Sequence, residues 1–175
     1  MIMTKQIIDN FLEFDDFQRF KDTMFSNNIY WYYANGVVPE DTALCKSNFN
    51  TQMYHPFYSD EDGASDTFEV LNPIIKKLNF KRLIKCKANL LLCTETPQIH
   101  GFHMDLCDYP DIISQSKTAV FYVNTNNGST VFEKYGERIT SVENRIVIFD
   151  ANEIHSGSTC TDQKSRIVIN INYIP

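Results

Sequence analysis

The pattern of apolar and polar residues predicts two helices in the first half of the chain. The first is capped by Asp15 or Asp16 and ends near Phe25, because large apolar residues recur at the spacing of a buried helical face: Phe17, Phe20 and Met24. Residues 66–78 (DTFEVLNPIIKKL) predict a second helix, which is bent or interrupted near its proline.

Short strands are predicted around and after these helices. Residues 7–12 alternate loosely, and residues 29–38 (IYWYYANGVV) predict an aromatic strand that ends in an Asn-Gly turn, with its aromatic side chains in the core. From residue 82 onward, β-rich segments are separated by turn-forming residues: 82–93, 118–124, 130–132, 138–142, 145–150 and 165–173. Such strands without intervening helices indicate an antiparallel sandwich or barrel, here in an α+β chain whose helices cover one sheet.

Length and composition are those of one soluble globular domain: 175 residues, of which 43% are hydrophobic and 22% charged. A formal net charge of −6 argues against nucleic acid as the main partner. The five cysteines form no C-x-x-C pair, and no apolar run reaches the ~20 residues that span a bilayer. The amino terminus also lacks the features of a signal peptide, so we expect a cytoplasmic protein without a membrane partner.

The last predicted strand has two faces of opposite character. Three isoleucines alternate with mostly polar residues: Arg166, Val168, Asn170 and Asn172. The isoleucines suit packing under the helices, whereas the polar face suits the wall of a cavity. A guanidinium in such a cavity favours a ligand with a carboxylate, because its planar fork can donate two parallel hydrogen bonds.

A candidate metal site begins in the segment 102–106 (FHMDL). On a strand His103 and Asp105 share a face, and an imidazole beside a carboxylate provides two metal ligands. The alternative is an ordinary His–Asp hydrogen bond near a strand end. A third ligand has to come from another strand, and His155 follows the apolar segment RIVIFDA at a strand edge. His55 is better explained as part of the flank of the fold.

The order His103-x-Asp105, His155, Arg166 resembles that of the iron(II)- and 2-oxoglutarate-dependent oxygenases, in particular the prolyl 4-hydroxylase-like branch. The resemblance covers roughly residues 83–173. Three further segments agree with family patterns: FYVN at 121–124 with the Y-L-N strand, NGSTVF at 127–132 with G-G-x-T-x-F, and residues 149–157 with the strand leading to the second histidine. Asn127 replaces the first glycine of G-G-x-T-x-F, and asparagine still tolerates positive φ.

This resemblance implies a fold and a reaction. The fold is a double-stranded β-helix (jelly roll) over about residues 82–173, in a single domain of residues 1–175 whose N-terminal helices, mainly within residues 1–80, pack on one sheet. The reaction couples oxidative decarboxylation of 2-oxoglutarate to succinate and CO₂ with hydroxylation of a substrate, and peptidyl proline is the first candidate. O₂ is the second cosubstrate, and ascorbate is a candidate stimulating reductant.

The resemblance also assigns roles to residues. Iron(II) is held by His103, Asp105 and His155, while Arg166 and Tyr122 bind the distal carboxylate of 2-oxoglutarate.

Three weaker candidates complete the set. Asn89, in the segment KANL, is a candidate cosubstrate contact. His100 and Tyr109 are candidate substrate contacts, although an exposed loop histidine and a mobile polar connection at 107–116 explain them as well.

Two other functions are compatible with the same residues. One is a zinc hydrolase that uses the three ligands, and the other is a non-catalytic β-sandwich that binds a sugar or a protein. A protein, a peptide or a small molecule remains open as the substrate, and the sequence does not determine the oligomeric state.

Overall fold

The computed structural model describes residues 5–37 and 51–175. Helices α1 (Phe14–Met24) and α2 (Asn72–Leu78) and two short 3₁₀ helices (Phe68–Leu71 and Ile113–Gln115) lie within these ranges. The strands are β1 (Gln6–Ile8), β2 (Tyr32–Ala34), β3 (Gln52–Ser59), β4 (Gly63–Ala64), β5 (Arg82–Leu92), β6 (Lys117–Tyr122), β7 (Ser129–Phe132), β8 (Arg138–Thr140), β9 (Arg145–Asp150), β10 (His155–Gly157) and β11 (Ser165–Ile174).

These strands form two antiparallel sheets. The larger has the order β1-β9-β6-β11-β5-β3-β2, with β4 paired to β3, and the smaller has the order β10-β7-β8. A buried cluster that includes Tyr122 and Phe149 from the larger sheet and Phe132 and Ile139 from the smaller one joins the two. The predicted double-stranded β-helix with supporting helices is therefore confirmed.

The main core lies on the other face of the larger sheet, under the helices. The isoleucines of β11 share this cluster with apolar residues of α1 and α2, as the alternation predicted: Ile167, Ile169, Ile171, Phe17, Phe20, Met24 and Ile74. The ring of Phe121 makes edge contacts with Phe11, Phe17 and Phe20 at centroid distances of 5.6–6.2 Å. Each such side chain stabilises the fold by about 1.5–3 kcal/mol on burial, so the sheet is fixed firmly enough to position side chains on its opposite face.

The predicted helices form, with one error in detail. Glu13 occupies the N-cap of α1 without a side-chain hydrogen bond, so capping by Asp15 or Asp16 was wrong. Both acids lie in the first turn, where they interact favourably with the helix dipole. The predicted interruption near Pro73 is the junction between the 3₁₀ helix and α2, where proline is tolerated because the first turn needs no N–H donor there.

The aromatic segment 29–38 forms only the short strand β2, and residue 38 lies outside the described residues. Tyr30, Tyr32 and Tyr33 are exposed by 71%, 53% and 64%, so their expected place in the core was wrong. The reason is topological, since among the described strands β2 lies at the edge of the larger sheet and pairs with β3 alone. In the described part of the chain no helix is both long enough and apolar enough to cross a membrane.

Candidate metal centre

Two histidines from distant parts of the chain meet through their backbones. The N–H of His103 donates to the carbonyl of His155 at 2.9 Å, and the N–H of His155 donates back at 3.0 Å. Residues paired in this way in an antiparallel bridge project their side chains to the same side. The two imidazole rings accordingly lie 4.9 Å apart between centroids.

Each imidazole is oriented by a carbonyl two residues before it. Nδ1 of His103 lies 3.0 Å from the carbonyl oxygen of Gly101, and Nδ1 of His155 lies 3.0 Å from that of Glu153. Because a carbonyl can only accept, each Nδ1 carries the proton and donates it. In the neutral rings Nε2 therefore keeps a free lone pair, which is the form that binds a metal ion.

Asp105 supplies a carboxylate between the two free nitrogens. Its Oδ1 lies 3.6 Å from Nε2 of His103 and 3.8 Å from Nε2 of His155. Its other oxygen, Oδ2, accepts a hydrogen bond of 3.1 Å from Nδ2 of Asn172, which also donates to Thr118 Oγ1 at 2.9 Å. Asn172 therefore fixes the orientation of Asp105, so that one carboxylate oxygen points toward the histidines.

The three ligand atoms lie within 4.8 Å of one another, close enough to hold one metal ion. Two imidazoles and one carboxylate form the donor set of non-haem iron(II) sites with open coordination positions. The structure thus brings together all three residues that the sequence suggested as ligands.

Burial and mutual charge set the protonation of the three groups. Burial alone would raise the pKa of Asp105, but its interactions with the neighbouring imidazoles of His155 and His103 hold it far below its usual range. For His155 burial dominates and lowers the pKa, so the ring is neutral near pH 7. For His103 burial is the largest single influence and lowers the pKa, but the interactions with Asp105 and the Gly101 carbonyl together outweigh it, so the pKa is raised. The carboxylate is ionised and ready to bind a cation.

Arg166 lies on the cavity face of β11 and is 2% exposed. Its Nε donates to Ser141 Oγ at 2.7 Å, and Nη2 donates to Thr130 Oγ1 at 3.3 Å. The guanidinium also lies over the ring of Tyr122, 5.6 Å from its centroid. No described carboxylate pairs with it, and burial lowers its pKa. A buried guanidinium with neutral partners only is a strong site for an anionic ligand.

Two glycines leave room for this arginine. A Cβ on Gly128 would stand 2.6 Å from Cδ of Arg166, and one on Gly157 would stand 3.4 Å from its Nη1. Gly128 belongs to the segment NGSTVF, so close approach of the arginine explains the glycine. Asn127 is not among the described non-glycine residues with positive φ, so it does not use the tolerance expected of it. Its backbone N–H donates to the Asp162 carboxylate at 3.0 and 3.1 Å.

A narrow cavity connects the metal ligands with Arg166. About 40 Å³ of it is available to the centre of a water-sized sphere, which is room for roughly three waters and suits a slender ligand. Asn89 and His100 both line it, and Asn89 Oδ1 and His100 Nε2 are buried without a hydrogen-bond partner among the described residues. The expectation that His100 lies in an exposed loop was wrong, because it is 3% exposed.

His100 stands between the two ends of the cavity. Burial lowers its pKa to about 4, and the nearby charges of Arg166 and His103 act in the same direction. The ring is therefore neutral near pH 7, and its unpaired Nε2 offers a hydrogen bond to a bound ligand.

The two remaining candidates lie outside the immediate cavity wall. The Tyr122 hydroxyl donates a hydrogen bond of 2.9 Å to Thr130 Oγ1. The same oxygen accepts the hydrogen bond from Arg166, so Thr130 links Tyr122 to the cavity wall. Tyr109 packs against Leu106 and Ile84, and its hydroxyl lies 3.4 Å from Glu61. The proposed ligand contacts of both tyrosines stay predictions. His55 is a satisfied buried histidine that bonds Tyr30 and Thr67, as its assignment to the flank implied.

Comparisons with known proteins agree on the fold. The sequence matches no protein-family model and no curated protein. Among solved structures, an oxidoreductase of the 2OG-Fe(II) oxygenase family from Burkholderia pseudomallei has a TM-score of 0.68 at 10% identity, and the match covers 98% of this chain and 85% of that one.

Two further solved structures are similar to this chain. The non-haem α-ketoglutarate-dependent epimerase SnoN of nogalamycin biosynthesis has a TM-score of 0.64 at 13% identity, with coverage of 98% of this chain and 78% of its own. A viral collagen prolyl hydroxylase from Paramecium bursaria Chlorella virus-1, in complex with 2OG, has a TM-score of 0.59 at 16% identity and coverage of 98% and 96%. These neighbours establish the double-stranded β-helix of 2OG-Fe(II) oxygenases as the fold of this chain.

Proposed function

We propose that the protein is a non-haem iron dioxygenase that couples oxidative decarboxylation of 2-oxoglutarate to succinate and CO₂ with hydroxylation of a substrate. The observation that carries this proposal is a two-histidine, one-carboxylate ligand set whose histidines line the same cavity as a buried arginine, and that arginine has no acidic partner among the described residues. The first feature suits iron(II), and the second suits the far carboxylate of a diacid.

The donors present fit this cosubstrate. Arg166 has five N–H donors, and its described hydrogen bonds use only Nε and Nη2. Asn89 and His100 line the same cavity as Arg166 and the two candidate histidine ligands, and each has one buried polar atom without a partner among the described residues. A buried polar atom without a partner costs roughly 1–3 kcal/mol. Nε2 of His100 can donate to a carboxylate when it carries the ring proton, whereas Oδ1 of Asn89 only accepts and gains no hydrogen bond from a diacid.

A hydrolytic use of the same ligands is less well supported. No aspartate or glutamate is among the described residues that line the cavity, so a carboxylate general base is missing there. A hydrolase would also leave the guanidinium of Arg166 without a ligand.

Each group has a separate task in the proposed reaction. Bound iron supplies the activation of O₂ and the decarboxylation chemistry. His103, Asp105 and His155 would hold the ion, and Asn172 keeps the Asp105 carboxylate oriented for that role. Arg166 anchors the cosubstrate so that its keto-acid end meets the metal, and the buried wall excludes water.

The substrate is a protein, a peptide or a small molecule. Peptidyl proline is the first candidate, and it is supported by structural neighbours that are prolyl hydroxylases, such as one from Pseudomonas putida with a TM-score of 0.57. Another neighbour, from Streptomyces hygroscopicus, binds hygromycin B, so small molecules belong in the same screen.

The test is equilibrium binding of 2-oxoglutarate by calorimetry under anaerobic conditions, with Mn²⁺ in place of Fe²⁺. We expect stoichiometric binding that is much tighter with the metal than without it. If wild-type protein binds 2-oxoglutarate equally weakly with and without Mn²⁺, the proposal fails.

A further inference from the structure

A lysine at the metal end of the cavity has no role in the function proposed above. Lys87 lies on the cavity face of β5, two residues from Asn89, and is paired across the sheet with Asn170 of β11. No role was predicted for Lys87 from the sequence.

Among the described residues the amino group of Lys87 has no hydrogen-bond or ion-pair partner, and strand register places Lys87 toward the metal ligands. Its pair Asn170 lies two residues from Asn172, which holds Asp105. The electrostatic neighbours of Lys87 are Asp105 and Lys85, and it acts in turn on His103. It takes part in no hydrogen bond or ion pair with the described residues, and Asp105 is already held by Asn172. A structural role as the counter-ion of Asp105 is therefore not what fixes this side chain.

The positive charges in the cavity favour the binding of anionic groups at both of its ends. A divalent ion held by one carboxylate and two neutral imidazoles leaves a positively charged centre. Arg166 adds a positive charge at one end of the cavity and Lys87 adds another toward the metal ligands, while no aspartate or glutamate is among the described residues that line it. Arg166 pairs with Leu91, which lies four residues from Lys87 on β5. The backbone positions that carry the two cations are therefore about 13 Å apart along the strand direction.

We propose that Lys87 binds the carboxylate that a 2-oxo acid presents next to the metal, so that the cavity selects diacids by a cation at each end. This inference rests on the proposed function. Lys87 is a positioning residue in it, since it neutralises and orients the metal-end carboxylate while Arg166 binds the far one. Because methionine matches lysine in length without its charge, Lys87→Met removes the interaction with little change in packing.

The experiment compares two ligands on Mn²⁺-loaded protein by anaerobic calorimetry. 2-Oxoglutarate carries both carboxylates, whereas 2-oxopentanoate lacks the far one. We expect Lys87→Met to weaken both ligands about ten- to hundred-fold, as for loss of a hydrogen bond to a charged group. Mn²⁺ alone should bind as tightly as in wild type or more tightly, because a neighbouring cation is removed.

The matched control is Lys85→Met, on the same face of the same strand but outside the cavity lining. We expect it to change either affinity by less than about three-fold. Normal 2-oxopentanoate binding in Lys87→Met, an equal loss in Lys85→Met, or a parallel loss of Mn²⁺ binding would each overturn the role of Lys87. Failure of wild-type protein to bind any 2-oxo acid would instead refute the proposed function.

Discussion

Replacing Arg166 with methionine removes the proposed anchor for the far carboxylate of 2-oxoglutarate. The guanidinium is 2% exposed and its described partners are the neutral hydroxyls of Ser141 and Thr130. In the variant the carboxylate of a bound diacid would face an apolar side chain in a partly dry cavity. Leaving one member of a buried charge pair alone costs about 2–5 kcal/mol. Affinity for 2-oxoglutarate should fall roughly thirty-fold to several thousand-fold.

Three measurements separate this role from a general loss of structure. Calorimetry with Mn²⁺ gives the affinity for 2-oxoglutarate, while affinity for Mn²⁺ alone should stay near that of wild type because Arg166 is not a ligand. Saturating cosubstrate at 100 times its dissociation constant should stabilise wild type by about 2.7 kcal/mol against unfolding, and the same concentration should stabilise the variant by less than about 1 kcal/mol. Arg166→Lys keeps the charge without the planar fork, so only partial recovery is expected.

The control is Arg138→Met on β8, where the arginine is exposed. It should leave both affinities unchanged. The reasoning is refuted if Arg166→Met binds 2-oxoglutarate as tightly as wild type, since the arginine would then be structural.

Further substitutions test the other parts of the site. Single changes of His103, Asp105 or His155 to alanine should abolish stoichiometric Mn²⁺ binding without unfolding the protein. Circular dichroism checks that the fold is retained. A variant that still binds one equivalent of Mn²⁺ tightly would show that the replaced residue is not a ligand. Asn172→Leu frees Asp105 from its hydrogen bond, so affinity for Mn²⁺ should fall about 10- to 100-fold, and unchanged affinity would mean that Asp105 is held in other ways. Gly128→Ala forces a Cβ to within 2.6 Å of the Arg166 side chain, which costs roughly 1–3 kcal/mol of strain. Affinity for 2-oxoglutarate should therefore fall more than about ten-fold, while affinity for Mn²⁺ is preserved. Unchanged cosubstrate binding would show that the arginine can shift freely.

Local periodicity was enough to predict the parts of the fold that bury one face. The alternation in β11 separated the isoleucines of the core from Arg166 and Asn172 on the cavity face, because side chains on a strand point alternately to its two sides. Helix α1 was predictable for the same reason, with a period of 3.6 residues. The burial of the aromatic side chains of β2 was predicted wrongly. Aromatic residues favour strands whether or not a second layer covers them, so their presence does not indicate burial.

Side-chain partners across the sheets could not be predicted from local pattern. The hydrogen bond between Asn172 and Asp105 joins residues 67 positions apart in the sequence, and the one between Arg166 and Ser141 joins residues 25 positions apart. These contacts depend on strand register, which a single sequence does not specify. His100 was misjudged for a related reason, because the bridge between Ile99 and Ser158 draws its loop against the smaller sheet and buries it. No strand was predicted at β3, where a proline weakened the signal.

Succinate formation tests the central claim most directly. Wild-type protein is incubated with 2-oxoglutarate, Fe(II), O₂ and ascorbate, alone and with libraries of prolyl peptides and small metabolites, and succinate is measured against the His155→Ala variant. The account predicts succinate above the level of the variant, with a further increase when a true substrate is present. Succinate that never exceeds the His155→Ala background under any of these conditions would contradict it.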